Sequence, residues 1–90
     1  MEENKKKERP VLGQVKIYSP YRVYFDDKAY SVSAINGTGP FDVLPGHKNF
    51  LTLLKPCEIK VESPLESKKL KIDRGVMHVR RDKVTVFLDV

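Results

Sequence analysis

Few side chains in this 90-residue chain have the types and spacing for chemistry. They are two histidines, His47 and His78, one cysteine, Cys57, and, beyond the charged opening residues, the adjacent carboxylates Asp26 and Asp27. A nucleophile needs a base within hydrogen-bond reach, and Cys57 stands directly after Pro56 in a turn, where it reads as a passive small side chain. No Gly-x-Ser-x-Gly elbow occurs, and no glycine-rich phosphate loop ends in Lys-Ser or Lys-Thr. One cysteine and two histidines do not supply the four ligands of a structural zinc site in either common spacing, and the carboxylates are not clustered to compensate. Asp26-Asp27-Lys28 reads as a solvated turn. His47 follows a Pro-Gly turn and reads as a turn histidine tied to backbone or as a polar group aimed at a partner. His78 alternates with Met77 and Val79 and is expected to face solvent. The expectation is a chain with no catalytic residue, no metal and no cofactor.

A second chemistry is aromatic and basic. Tyr18, Tyr21, Tyr24 and Tyr30 lie among Arg22 and Lys28, and the formal net charge is +5. Stacked tyrosines beside cations suit single-stranded nucleic acid, so a small basic β-barrel of that kind is the alternative function. The plainer account has the tyrosines capping the rim of a sandwich. The charge is spread along the chain and speaks to encounter with acidic partners rather than to fold.

The elements that must hold these residues follow from periodicity. Ninety residues make one domain. Residues 1–13 lack apolar periodicity and read as a flexible tail of mixed charge, ended by Pro10 and Gly13; residues 14–90 form the domain. The opening residues are the wrong chemistry for an export signal, and no apolar run is long enough to span a bilayer as a helix. The lone cysteine excludes an internal disulfide, as suits a reducing compartment. From Gln14 onward apolar residues alternate in short runs separated by turn residues, with Phe50 to Leu54 readable as strand or helical turn. Eight to ten short strands without a long helix predict an all-β fold, an antiparallel β-sandwich or flattened barrel. The inward set is expected to be Val15, Ile17, Val23, Phe25, Val32, Phe41, Leu51, Leu53, Ile59, Val61, Leu70, Ile72, Val84, Val86 and Leu88.

One stretch breaks the alternation. Residues 37–56 hold three glycines and three prolines around two apolar runs. Glycine admits positive φ and proline locks it, so this density fixes a path rather than a flexible link. Phe41, Val43 and Leu44 are expected to pin it into the core, leaving a rigid, displayed loop.

The same stretch, Pro-Phe-Asp-Val-Leu-Pro-Gly-His-Lys-Asn-Phe-Leu-Thr-Leu-Leu-Lys-Pro, resembles a segment of the ATP synthase epsilon subunit (delta in mitochondria). The flanks agree: Ile17-Tyr18-Ser19-Pro20 with Val23-Tyr24-Phe25, then Tyr30-Ser31-Val32-Ser33-Ala34, and finally Gly75-Val76-Met77-His78-Val79-Arg80 with Lys83-Val84-Thr85-Val86. The resemblance covers about residues 14–90. It implies the family's N-terminal β-sandwich and a non-catalytic role in the central stalk, or rotor. There the subunit clamps the gamma subunit to the c-ring, so that ion flow is coupled to ATP synthesis. Carried over by position, Ser19, His47 and Thr52 fall where the family meets gamma. Thr38, Gly39, Pro40, Phe41 and Asp42 fall on the loop that meets the c-ring. One apolar sheet face is expected to join the interface. The implied location is peripheral, on the cytoplasmic face of the bacterial inner membrane.

Three departures stand out. The family usually has a glutamate where this chain has Pro40, and Asp42 replaces a glycine two residues on, so Asp42 is expected to supply the missing charge. The paired glycines before the last hairpin appear as Arg74-Gly75. The family continues as two α-helices that brake ATP hydrolysis, whereas this sequence stops at Asp89-Val90, so coupling without that helix-dependent brake is the expectation.

Overall fold

A computed structural model describes residues 9–88. Those residues form nine β-strands and no helix: β1 (Leu12–Tyr18), β2 (Val23–Ala29), β3 (Ser31–Asn36), β4 (Gly39–Val43), β5 (Phe50–Leu54), β6 (Cys57–Glu62), β7 (Ser67–Ile72), β8 (Gly75–Arg80) and β9 (Lys83–Leu88). No helix among them is long and apolar enough to cross a membrane. Of the stretch expected to be a flexible tail, residues 1–8 lie outside the described residues. β1 already begins at Leu12, which is fully buried.

The strands hydrogen-bond in the order β2-β1-β9-β8-β5-β3-β6-β7, with β4 on the other edge of β3. Between β3 and β5 the pairing shrinks to Asn36 opposite Leu54, supported by the Lys55 amide donating to the Ile35 carbonyl. The sheet folds over at that corner. A five-stranded layer (β2-β1-β9-β8-β5) thus faces a four-stranded one (β4-β3-β6-β7), and their inner faces share one apolar cluster. Nearly every pair is antiparallel, as expected; β1 and β9 run parallel, because β1 returns to lie between β2 and β9. Across the open seam between the two edge strands, the Lys68 ammonium on β7 donates to the Tyr24 carbonyl on β2 at 2.7 Å.

The core departs from the expected inward set in three ways. Leu51 and Leu53 are exposed (67% and 71%), because Leu54, not Leu53, turns inward at the corner with β3. Val23 is exposed because the register slips between Ile17 and Tyr18: Ile17 opposes Phe25 but Tyr18 opposes Val23. One extra residue on β2 resets the alternation, as a β-bulge does. Phe41 and Leu70 are half-buried against the core rather than within it. In their place Leu12, Ala29, Ala34, Val43, Leu54, Met77 and Val79 complete the interior. Asp26 and Asp27 are not a turn but lie within β2, paired with Lys16 and Val15. The chain changes layers one residue past β2, at Tyr30, whose amide donates to the Glu62 carbonyl.

Candidate functional site

The stretch expected to be a pinned loop is instead a β-hairpin followed by a tight turn. β3 and β4 pair from Val32–Val43 to Asn36–Gly39, so only Gly37 and Thr38 lie outside the ladder. Asn36 organises this tip. Its side-chain oxygen accepts from the Thr38 amide at 2.9 Å and from the Thr38 hydroxyl at 2.8 Å, while its Nδ2 donates to the Thr52 hydroxyl on β5 at 3.1 Å. Asparagine suits the place because its amide bonds its own backbone two residues on and still offers donors across the corner. Gly39 follows at φ 118°, a conformation that favours glycine. Pro40 is exposed on the free edge, where its missing N–H costs no ladder bond. Phe41 packs edge-to-face on Phe50 with ring centroids 5.9 Å apart. Asp42 is exposed and accepts from the Ser33 hydroxyl at 2.6 Å.

Beyond Val43 the chain turns through residues 44–47. The His47 amide donates to the Leu44 carbonyl at 3.0 Å, with Pro45 and then Gly46 at φ 86° between them. Pro followed by a positive-φ glycine is the signature of a type II turn. Leu44 therefore points outward, 52% exposed, instead of pinning the segment. Half-buried His47 lies over Phe50 at 4.8 Å, and its Nδ1 donates to the Lys48 carbonyl at 2.8 Å. Asn49 accepts from the Arg81 amide at 2.7 Å, which ties this turn to the β8–β9 hairpin.

Of the residues expected to contact gamma, Thr52 is half-buried on β5 and bonded to Asn36. Ser19 is only 5% exposed, and its hydroxyl accepts from the Tyr21 amide inside the turn over residues 19–22. His47 lies beyond the opposite end of β5 from Leu54. The tip residues, Thr38, Gly39, Pro40, Phe41 and Asp42, form one continuous ribbon. The four tyrosines have four settings. Tyr18 meets Phe87 edge-on at 5.2 Å, Tyr21 is exposed, Tyr24 packs on the core beneath Arg22, and Tyr30 lies under Arg9. His78 faces solvent, as expected, and Cys57 is a half-buried free thiol. No cluster of metal-ligating side chains occurs among the described residues.

The largest surprise lies on the outer face of the five-stranded layer. Leu53 on β5 opposes Val76 on β8, Val76 opposes Phe87 on β9, Phe87 opposes Tyr18 on β1, and Tyr18 opposes Val23 on β2. One cross-strand row is thus apolar or aromatic over all five strands. At its β5 end lies a hollow of about 470 Å³ lined by Leu53, Leu54, Arg74, Gly75, Val76 and Phe87. The signal was present in the sequence: Phe50 to Leu54 and Val84 to Leu88 are apolar at both parities, which marks strands covered on both faces.

The family described as ATP synthase, Delta/Epsilon chain, beta-sandwich domain, matches residues 13–90. The chain belongs to this family. The epsilon chain of Geotalea daltonii is 33% identical over 76 residues, covering 84% of this chain and 55% of that relative. The one from Hydrogenovibrio crunogenus is 37% identical over 79 residues, covering 88% and 55%. The chain therefore spans about half the length of the curated relatives it matches. The same fold recurs in a chain of the Tetrahymena thermophila mitochondrial ATP synthase central stalk and c-ring, with TM-score 0.75 at 15% identity over 86% of this chain and 63% of that one. A chain of the Euglena gracilis mitochondrial ATP synthase also has TM-score 0.75, at 18% identity over 90% of this chain and 54% of that one. Membership of the delta/epsilon family agrees with the all-β sandwich and with the alignment carried by the hairpin and its flanks.

Proposed function

We propose that this chain is a non-catalytic subunit of the central stalk of a rotary F-type ATP synthase, held between the gamma subunit and the c-ring. In this reading it couples ion translocation to ATP synthesis as a peripheral component on the cytoplasmic face of the bacterial membrane. Ser19, His47 and Thr52 mark the gamma side, and the ribbon from Thr38 to Asp42 marks the ring side. Asp42 takes over the acidic contact that Pro40 displaces.

The observation that supports this most is the Asn36 clamp. A subunit that passes torque between two partners must hold both contact surfaces in one stiff body. Asn36 holds the hairpin tip through two hydrogen bonds from Thr38 and joins it to β5 through one to Thr52. Ser19, being buried, acts by shaping its turn rather than by touching gamma itself.

The test is reconstitution with the gamma subunit and the c-ring. The chain is expected to be retained by gamma, and its addition to be needed for ion-coupled ATP synthesis. Asp42→Ala is expected to leave gamma binding intact and to weaken coupling. Failure of the unaltered chain to bind gamma overturns the proposal, and undiminished coupling in Asp42→Ala removes Asp42 from it.

A further inference from the structure

We infer that Asn36 is a self-modification site. The Gly37 backbone nitrogen attacks the Asn36 side-chain amide, ammonia leaves, and the hairpin tip acquires an aspartate or isoaspartate at a pace set by the hydrogen bonds of the Asn36 clamp. This concerns the chain by itself and stands whether or not the chain meets gamma and the c-ring.

Asn36-Gly37 is the one Asn-Gly pair in the sequence; Asn4 precedes Lys5 and Asn49 precedes Phe50. A side chain on the following residue crowds its own amide nitrogen, and glycine has none. Gly37 is exposed in the two-residue loop between β3 and β4. Among the described residues no turn hydrogen bond engages its amide. Neither packing nor backbone geometry calls for glycine at this position. Gly39 and Gly46 adopt positive φ, and Gly13 and Gly75 lie against atoms that a Cβ would meet at 3.0 Å. Gly37 does neither, since a Cβ built on it would meet nothing within 4 Å and its φ lies outside the left-handed region.

The reaction balances with water alone. Solvent base removes the Gly37 amide proton, and the nitrogen adds to Asn36 Cγ. The N–Cγ bond forms, the Cγ–Nδ2 bond breaks, and Nδ2 departs as ammonia with a proton from solvent. Water then opens the five-membered imide at either carbonyl. Opening at Cγ leaves an aspartate. Opening at the backbone carbonyl leaves an isoaspartate, whose main chain runs through the former side chain and gains one methylene. Either product carries a new carboxylate, and nothing is oxidised or reduced.

The fold sets the pace. Asn36 is the last residue of β3, so its backbone is extended, and the Gly37 nitrogen reaches Cγ only once ψ leaves the β region. The side chain is meanwhile held by the Thr38 amide and hydroxyl on its oxygen and by Thr52 on its nitrogen. The reacting state is therefore the opened tip, and each bond that must break lowers its population. The product does not restore the clamp. A carboxylate has no N–H for Thr52, whose hydroxyl must turn round and donate instead. The extra methylene of isoaspartate also displaces the Asn36–Gly39 pair that closes the β3–β4 ladder.

The experiment incubates the full chain in warm, mildly alkaline buffer and follows its peptides by mass spectrometry, with enzymatic carboxyl methylation to count isoaspartate. The peptide holding Asn36 should gain the mass difference of OH for NH2, while the one holding Asn49 stays unchanged. Gly37→Ala fits the open space, so it should melt at or above the parent. It should slow the mass gain roughly tenfold, a barrier rise of about 1.4 kcal/mol. Thr52→Val removes one partly buried hydrogen bond and should speed the gain roughly fivefold. The chain unfolded in denaturant should react faster still. The isolated isoaspartate form should show quicker amide exchange in β4 than Asn36→Asp, which carries the charge without the added methylene. The inference is overturned if Asn36 keeps its amide in the folded chain, or if Asn49 reacts as fast. It is equally overturned if Gly37→Ala or Thr52→Val reacts at the parent's rate. Gamma is absent from every arm, so these results leave the stalk reading to its own test.

Discussion

Replacing Asn36 by alanine removes two hydrogen bonds within the hairpin tip and the one that ties the tip to β5. The two to Thr38 are solvent-facing and fall at the low end of the net range for a hydrogen bond, about 0.5 kcal/mol each. The one to Thr52 is partly buried and contributes about 1 kcal/mol. The expected loss is therefore about 2 kcal/mol, against a total stability of roughly 4–12 kcal/mol for a domain of this size. At 4–8 °C per kcal/mol, the melting temperature should fall by about 10 °C. Thr52→Val is nearly isosteric and deletes only the cross-corner bond, so it should lower melting by about half as much. In the double variant the Thr52 substitution should add little, since its partner is already gone. Differential scanning calorimetry reads all three, and hydrogen exchange at the Thr38 amide should quicken in Asn36→Ala. An Asn36→Ala protein melting within about 2 °C of the parent would refute the clamp and the stiffness argued from it.

The remaining predictions concern the frame. Met77→Ala, at a fully buried site on the central strand β8, should cost about 2–5 kcal/mol by chemical denaturation and bring the domain close to unfolding. Gly75→Ala and Gly46→Ala should both destabilise, for different reasons. At Gly75 the new methyl collides with the Phe87 backbone, whereas at Gly46 the space is open and only positive φ opposes it, at about 1–2 kcal/mol. Adding Leu88→Ala to Gly75→Ala should not rescue it, because the Phe87 carbonyl stays in the way. Lys68→Met should leave Tyr24 without its cross-seam donor, seen as faster amide exchange in β2 with little change in β8.

How much of this was legible beforehand depended on which physical signal each element used. Period-two alternation located most strands, because a half-buried strand writes its burial directly into the sequence. It failed at Val23, where a bulge inserts a residue that no local pattern announces, and at Leu51 and Leu53, where both faces of β5 are apolar and parity carries no information. It also failed at Asp26 and Asp27, where turn propensity argued against a strand that pairing with β1 sustains. The proline and glycine spacing correctly marked a fixed path over residues 37–56 but not that Gly39 to Val43 would pair as β4. The polar tip of the candidate site was found through resemblance. The apolar row was not, because it is assembled across five strands and exists only once their registers are known.

The placement of β1 has a consequence for synthesis. Its one edge waits for β9, some seventy residues further along the chain, so the five-stranded layer cannot zip shut while the polypeptide is still emerging. Until Val84 and Val86 arrive, Val15 and Ile17 have no parallel neighbour, and the nascent chain exposes a sticky half-layer that helpers in the cell would have to shelter. Ribosomal pausing anywhere before β9 should therefore leave this half-layer open, even within β6 and β7, whose own hairpin closes on itself at once.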